Sequence, residues 1–322
     1  MKKVLHLDSN HPVLWEGLEA LGYQNEADYT SSYDEIIPRI GDYEGLIIRS
    51  RIPVDRRLIE KAAKLQFIGR VGAGLENIDL NAAAKAHIRV IAAPEGNRNA
   101  VAEHAIGMLL NLLNRLQIAD AEVRQGIWKR EANRGIELSA LTVGIVGYGH
   151  MGKQLAKRLS GFGCAVICYD ILPELGDEFA AQVPLDTLYQ QADVISLHTP
   201  QTAETTHLIN AEFIANMQKP FWLINTARGC AVDTQALLNG LASEKIRGAA
   251  LDVLEFENQA FTSLFSQTSQ HQVLEELLKQ PNVLLSPHIA GWTHQSYYLL
   301  AKTVLEKITS LNQPNCTTND TY

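Results

Sequence analysis

Thr142-Val143-Gly144-Ile145-Val146-Gly147-Tyr148-Gly149-His150-Met151-Gly152 is the stretch that decides the fold. The β-branched run Thr142–Val146 reads as a buried strand that stops at a glycine turn, and Lys153–Leu159 continues as a helix. A GxGxxG pattern carries a mechanism only in that order of strand, turn and helix. Gly147 permits the tight turn, and Gly149 lets the main chain approach a pyrophosphate. Gly152 lets the helix close on the strand, whose neighbouring helix N-terminus offers N–H groups and a positive dipole end. The next strand, Ala165–Tyr169, ends in Asp170. A carboxylate there accepts hydrogen bonds from the ribose hydroxyls of NAD and repels the 2′-phosphate of NADP. NAD is therefore the expected cofactor.

Short apolar runs alternate with helical patterns on both sides of this motif. Upstream stand Val4–Asp8, Leu46–Ser50, Phe67–Val71 and Val90–Ala93; downstream, Val194–Leu197, Trp222–Asn225, Gly248–Val253 and Val283–Ser286 bring the second set to six. Strands alternating with helices build parallel sheets. Between the sets, Asn97 to about Gln125 reads as one long helical stretch. After the last strand comes one more amphipathic helix, Ser296–Leu311. A lone helix is not a domain, so its expected host is the N-terminal one. The expected fold class is α/β with two doubly wound parallel-sheet domains. A Rossmann NAD domain, 98–287, is inserted into a smaller flavodoxin-like substrate domain made of 1–97 and 288–322. Both crossings are expected to flank a cleft.

Composition sets the outer limits. The 322 residues are 46% apolar and 20% charged, the mixture of a globular protein with core enough for two domains. A formal net charge of −8 gives no footprint for nucleic acid or an anionic membrane. Met1-Lys2-Lys3-Val4-Leu5-His6-Leu7-Asp8 reaches an acid too soon for a signal peptide, and no run approaches the roughly 18 apolar residues of a membrane helix. Cys164, Cys168, Cys230 and Cys316 have no metal-ligand spacing and read as free thiols, so no metal and a cytoplasmic location are expected. The polar end, Asn312–Tyr322, reads as loose chain.

Three strands of the second set run into functional groups. Ile224-Asn225-Thr226-Ala227-Arg228-Gly229 ends in a guanidinium, and Ala250-Leu251-Asp252-Val253-Leu254-Glu255-Phe256-Glu257 in carboxylates. Leu285-Ser286-Pro287-His288-Ile289-Ala290-Gly291 ends in an imidazole. Open α/β sheets bind ligands at this carboxyl edge. Arginine grips a carboxylate through two parallel hydrogen bonds. Histidine, titrating near neutrality, gives a proton to a carbonyl oxygen as hydride reaches its carbon, and reclaims it in reverse. A glutamate bonded to the ring fixes its tautomer and raises its pKa. The set suits hydride transfer between nicotinamide and a small 2-hydroxy or 2-oxo acid.

With Gly69-Arg70-Val71-Gly72-Ala73-Gly74-Leu75-Glu76-Asn77-Ile78-Asp79, the glycine motif, Thr226-Ala227-Arg228-Gly229, Leu251-Asp252-Val253 and Pro287-His288, the chain resembles a known family. It is the D-isomer-specific 2-hydroxyacid dehydrogenase family, in its phosphoglycerate-dehydrogenase-like branch, over residues 45 to 310. The resemblance implies that Arg228 binds the substrate carboxylate, that His288 is the acid/base and that Glu257 supports it. It implies cofactor contacts from Gly147, Gly149, His150, Met151, Gly152 and Asp170. Further cofactor contacts would come from Thr199, Thr226, Ala227, Arg228, Asp252, His288 and Ala290. Arg49, Ser50 and the backbone of Gly72, Ala73 and Gly74 would complete the substrate pocket from the N-terminal domain. The resemblance also implies a homodimer formed through the NAD domain. A small anionic acid is the expected partner, with D-3-phosphoglycerate and 3-phosphohydroxypyruvate first and hydroxypyruvate or glyoxylate second. An NAD-sensing corepressor that binds peptides shares the fold, and the intact Arg, Glu and His set argues against that reading.

Three departures from the family pattern stand out. Glu257 is followed by Asn258-Gln259-Ala260-Phe261-Thr262 rather than proline, and the stretch to Pro281 is long, with a helix at Gln272–Lys279. Glu255 is thereby a rival for the carboxylate role. Gly291-Trp292-Thr293 sets an indole close behind His288, either lining the pocket or filling the seam between domains. The chain ends soon after its last helix, so no C-terminal regulatory domain is expected. Among other candidates, His198 and His104 read as structural and His294 as a lesser rival of His288. Arg49, Arg51 and Arg98 are the cations on offer to a substrate phosphate, and Cys230 reads as a small residue in a tight turn.

Overall fold

Strand β1, Lys2–His6, buries both Val4 and Leu5, whose side chains point to opposite faces. A strand buried on two faces belongs inside a parallel sheet covered on both sides. The computed structural model describes residues 2–257 and 272–311 and divides them into two compact units. The first holds residues 2–97 and 292–311, the second residues 98–257 and 272–291. The stretch 258–271 and the tail Asn312–Tyr322, for which a longer connection and a loose end were expected, lie outside the described residues.

In the first unit, β1 is joined by β2 (Tyr23–Ala27), β3 (Gly45–Ile48), β4 (Phe67–Arg70) and β5 (Arg89–Ile91). All pair in parallel, in the order β2-β1-β3-β4-β5. That is the flavodoxin-like order. The apolar pattern does not announce β2, because Tyr23-Gln24-Asn25-Glu26-Ala27 is an edge strand that buries only Tyr23. Side-chain hydrogen bonds hold it instead. Asn25 Nδ2 donates to Trp15 O at 2.9 Å, and Asn25 Oδ1 pairs with His6 Nε2 at 2.9 Å.

One face of this sheet packs Leu5, Leu46, Ile48 and Ile68 against Ile36, Ile40 and Leu58. The other packs Val4, Ile47 and Phe67 against Leu14 and Leu18, and against Leu300, Val304 and Ile308 of the last helix, His294–Leu311. A Cβ on Gly96 would lie 2.7 Å from the Leu300 backbone, so the first turn of the long helix Pro94–Asn114 meets the last helix at main-chain contact. Lys307 Nζ pins the same corner, donating to Ala92 O at 3.0 Å and to the Glu95 carboxylate at 2.9 Å.

The second unit contains β6 (Thr142–Val146), β7 (Ala165–Tyr169), β8 (Ala181–Gln182), β9 (Val194–Leu197), β10 (Phe221–Asn225), β11 (Ile246–Leu251) and β12 (Val283–Leu285). They form one parallel sheet in the order β12-β11-β10-β9-β6-β7-β8. This is the doubly wound dinucleotide order with one further strand, and the winding reverses between β6 and β9. The edge strand without a sequence signal, β8, is two residues long and carries no readable period.

Ala102, Ala105, Leu109 and Leu113 of the long helix pack with Val143 and Ile145 of the sheet. The helical stretch expected to run unbroken to about Gln125 breaks at Arg115, which takes a left-handed φ of 53°. The following segment, Leu116–Arg124, buries none of its residues, so no packing holds the two in line. Among the described residues, no helix is long and apolar enough to cross a membrane. Leu300 is 4% exposed at the last helix's contact with the first sheet. Leu300→Ala should cost about 2–5 kcal/mol, read as a lowered urea midpoint. Exposed Glu306→Ala should stay within about 0.5 kcal/mol.

Candidate active site

The glycine turn shapes one end of the second unit's carboxyl edge. Gly147 has φ 90°, and a Cβ there would lie 2.8 Å from the His198 carbonyl, so only glycine can turn at this point. A Cβ on Gly152 would overlap the Gly147 carbonyl, so the helix His150–Leu159 starts directly against the turn. A Cβ on Gly149, by contrast, would meet nothing within 4 Å, and this helix has no side-chain cap. The turn thus leaves open space before an uncapped helix N-terminus, which favours an anion. Asp170 closes one side, accepting Tyr148 N–H at 2.7 Å and Leu172 N–H at 3.0 Å on separate oxygens. Each oxygen retains capacity for a second donor such as a hydroxyl.

Two hydroxyls stand at the ends of the neighbouring strands β9 and β10. Thr199 Oγ1 and Thr226 Oγ1 are buried and have no hydrogen-bond partner. An unpaired buried hydroxyl costs about 1–3 kcal/mol, so a pair at one sheet edge marks where a polar ligand completes the bonding. The open cradle, the acid and these hydroxyls fit a dinucleotide. His198, also at this edge, is excluded as a proton donor. Burial lowers its pKa to about 4, its Nε2 pairs with Ser196 Oγ at 2.8 Å, and its Nδ1 has no partner.

Arg228 follows β10 on a turn shaped by Asn225. This fully buried residue donates from Nδ2 to Arg228 O at 2.9 Å and accepts Ala227 N–H at 3.0 Å. Arg228 Nη1 donates to Ala227 O at 2.6 Å, which fixes the guanidinium's near end. Asn225 is a residue that sequence reasoning passed over; its signal was one amide at the end of the apolar run Phe221–Ile224.

Asp252, 1% exposed after β11, organises the imidazole. Its carboxylate accepts Ser286 Oγ at 2.5 Å, Ile289 N–H at 2.9 Å and Ala290 N–H at 2.8 Å, while its carbonyl accepts His288 N–H at 2.8 Å. Asp252 is thus a carboxylate that holds the turn carrying His288. Residues 288–291 group with the second unit. His288 takes φ 55°, a conformation costing a non-glycine residue about 1–3 kcal/mol, and the Asp252 bonds hold it there. His104 on the long helix backs the same network, with Nε2 3.0 Å from Ser286 Oγ.

His288 Nδ1 pairs with Glu257 Oε2 at 2.8 Å, and Glu257 Oε1 accepts Leu254 N–H at 2.6 Å. Both side chains are mostly buried, which strengthens the pair. The rival carboxylate lies elsewhere: Glu255 pairs with His207 Nε2 at 2.6 Å and with Thr234. Neither His207 nor Thr234 gave a sequence signal. Among the described residues, no three of His, Cys, Asp and Glu could hold a metal together.

On the first unit, the loops after β3 and β4 come together where Asn77 Nδ2 donates to Arg49 O at 3.2 Å. Arg49 N–H donates to Asp8 Oδ2 at 2.6 Å, and its guanidinium lies 4.2 Å from the centre of the Trp292 ring. Trp292 is thus a stacking partner of Arg49, although 64% of it is exposed. Gly72 is fixed on both sides, its N–H donating to Arg70 O at 2.8 Å and its carbonyl accepting Ala93 N–H at 2.9 Å. Ser50, Ala73 and Gly74 are partly exposed beside these loops. Arg51 is not available to a phosphate, because its guanidinium donates to Leu7 O at 2.8 Å, Ser31 O at 2.5 Å and Asp28 O at 2.8 Å.

Residues 106–290 match the family model described as "D-isomer specific 2-hydroxyacid dehydrogenase, NAD binding domain". The hydroxypyruvate reductase of Thermotoga maritima is 34% identical over 302 residues, covering 93% of this chain and 95% of its own length. The D-3-phosphoglycerate dehydrogenase of Archaeoglobus fulgidus is 36% identical over 295 residues, covering 90% of this chain. This chain spans about half of that relative, 53% of its length. The structure of a D-2-hydroxyisocaproate dehydrogenase superposes with a TM-score of 0.84 at 30% identity, covering 99% of each chain.

The two neighbouring arginines should separate cleanly on mutation. Arg51→Ala abandons three carbonyls and should cost about 3 kcal/mol or more, whereas Arg49→Ala should cost about 1 kcal/mol, the loss of a stacked cation. Chemical denaturation of the two variants checks both values.

Proposed function

The chain belongs to the D-isomer-specific 2-hydroxyacid dehydrogenase family, NAD-dependent oxidoreductases acting on the CH–OH group of 2-hydroxy acids, and we propose that it interconverts D-3-phosphoglycerate and 3-phosphohydroxypyruvate. The observation that carries the reaction class is the His288–Glu257 pair at 2.8 Å, on a turn held by Asp252 at the carboxyl edge. Glu257 occupies Nδ1, so proton exchange with a ligand falls to Nε2. When bound, the nicotinamide supplies or accepts the hydride. His288 gives its proton to the carbonyl oxygen in reduction and takes the hydroxyl proton in oxidation. Arg228 grips the substrate carboxylate and orients the adjacent carbon. Gly147, Gly149, His150, Met151, Gly152 and Asp170 would hold the pyrophosphate and ribose, and Thr199, Thr226 and Ala227 would contribute further cofactor contacts.

For the phosphate we assign Arg49. The Trp292 ring 4.2 Å from its guanidinium carbon leaves Arg49 the planar fork of N–H donors that grips a phosphate. The similarity to phosphoglycerate dehydrogenases over nine-tenths of this chain supports the same substrate. A second reading, reduction of hydroxypyruvate, is favoured by the nearly full-length similarity to a hydroxypyruvate reductase.

NADH oxidation with 3-phosphohydroxypyruvate, hydroxypyruvate, glyoxylate and pyruvate in parallel decides between them. Preference for the phosphorylated acid, lost in Arg49→Ala, supports the first reading; equal or better use of hydroxypyruvate supports the second. Turnover of none would sink the enzyme assignment itself. His288→Ala should lower kcat by roughly 10²–10⁴-fold while NADH affinity stays within about twofold. Arg228→Lys should chiefly raise the KM of the 2-oxo acid, since an ammonium lacks the planar grip.

A further inference from the structure

A second histidine–carboxylate pair lies beside the first and has no part in the chemistry described so far. Glu255 Oε1 pairs with His207 Nε2 at 2.6 Å. Glu255 Oε2 accepts Thr234 N–H at 3.0 Å and the Thr234 hydroxyl at 2.6 Å. The three residues come from three different strand ends: His207 after β9, Thr234 from the helix Thr234–Ala242 after β10, and Glu255 after β11. One carboxylate therefore ties three consecutive loops.

Helix capping accounts for one arm only: Asp233 accepts Ala236 N–H at 3.0 Å and Glu255 adds the Thr234 N–H, while the His207 arm caps nothing. Stability does not account for that arm either. His207 is nearly half-exposed, and an ion pair of that kind contributes about 0–1 kcal/mol. Its consequence is geometric. The carbonyl of Leu254, next to Glu255, would overlap a Cβ on Gly229, so the main chain beside Arg228 rests on the main chain beside Glu255. Leu254 N–H donates to Glu257 Oε1 at 2.6 Å, and Glu257 N–H donates to Leu254 O at 3.1 Å, closing Leu254 to Glu257 into one small turn. His207 is itself held in a left-handed conformation, φ 52°, with its N–H on Cys230 O at 2.8 Å. A shift at Glu255 thus moves both Glu257 and Arg228.

We propose that Glu255 is a positioning residue: anchored by His207 and Thr234, it sets the distance between the Glu257–His288 pair and Arg228. The catalytic meaning of that distance rests on the dehydrogenase reading above. Misplacement of about 1 Å costs on the order of 100-fold in rate, far more than the pair's own stability suggests.

The test uses the full chain and the variants Glu255→Ala, Glu255→Gln and His207→Ala. Glu255→Ala should lower kcat by about tenfold or more and raise the KM of the 2-oxo acid, with the Kd for NADH within about twofold. Glu255→Gln should recover most of the kcat, because its amide oxygen still accepts from Thr234. His207→Ala, at a half-exposed site, should fall between and decides the matter if Glu255→Ala does not fold. Independently of any substrate, amide hydrogen exchange at Leu254 and Glu257 should quicken in Glu255→Ala, or in His207→Ala if only that variant folds. Unchanged kcat, KM and exchange in the folded variants overturn the proposal, as does a glutamine variant no better than alanine. A wild-type protein that reduces no 2-oxo acid overturns the functional reading instead, and the exchange rates then decide whether the tie exists.

Discussion

A buried carboxylate must have its hydrogen bonds completed, and Asp252 completes them with the turn that carries His288. Three donors, from Ser286, Ile289 and Ala290, converge on its oxygens, and its own carbonyl takes the His288 N–H. Truncating such a group would strand several buried N–H groups at once, so the turn has no low-energy alternative. That is how a histidine with positive φ is kept in place. The imidazole is then aimed by two carboxylates with separate tasks. Asp252 fixes its backbone, and Glu257 fixes its ring.

The same logic extends along the sheet edge. Three strands, β7, β10 and β11, end in or run into one polar residue that spends its hydrogen bonds on a turn at this edge. Asn225 does so for Arg228, Asp252 for His288 and Asp170 for the glycine turn. Residues with unsatisfied buried atoms, His198 with Thr199 and then Thr226, stand between them. An edge of this kind is rigid where the chemistry needs position, and unsatisfied where it needs a ligand.

Much of this was legible before any coordinates. The glycine motif and the three strand-end segments carry strong local signals, since a parallel strand is a short apolar run and its end is punctuated by polar residues. Both sheets followed from that alternation. What escaped were elements without apolar period: β2, which is held by Asn25 and buries little, and β8, which is two residues long. The break at Arg115 escaped because the helical pattern of the sequence runs on past the last buried leucine. Side-chain partnerships were less legible still. Nothing in the spacing says that Glu255 turns to His207 and Thr234 while Glu257 turns to His288, or that Arg51 is consumed by three carbonyls while its neighbour Arg49 stacks on Trp292. Those choices are made by loops brought together in space, and sequence distance carries no record of them.

The central claim is that Glu257 fixes the tautomer of His288, and nitrogen-15 NMR of histidine-labelled protein reads that tautomer directly. With the signal assigned by loss in His288→Asn, the neutral ring should carry its proton on Nδ1, and Glu257→Ala should let the two tautomers mix. A neutral ring protonated on Nε2, or a wild-type spectrum already mixed, would contradict it.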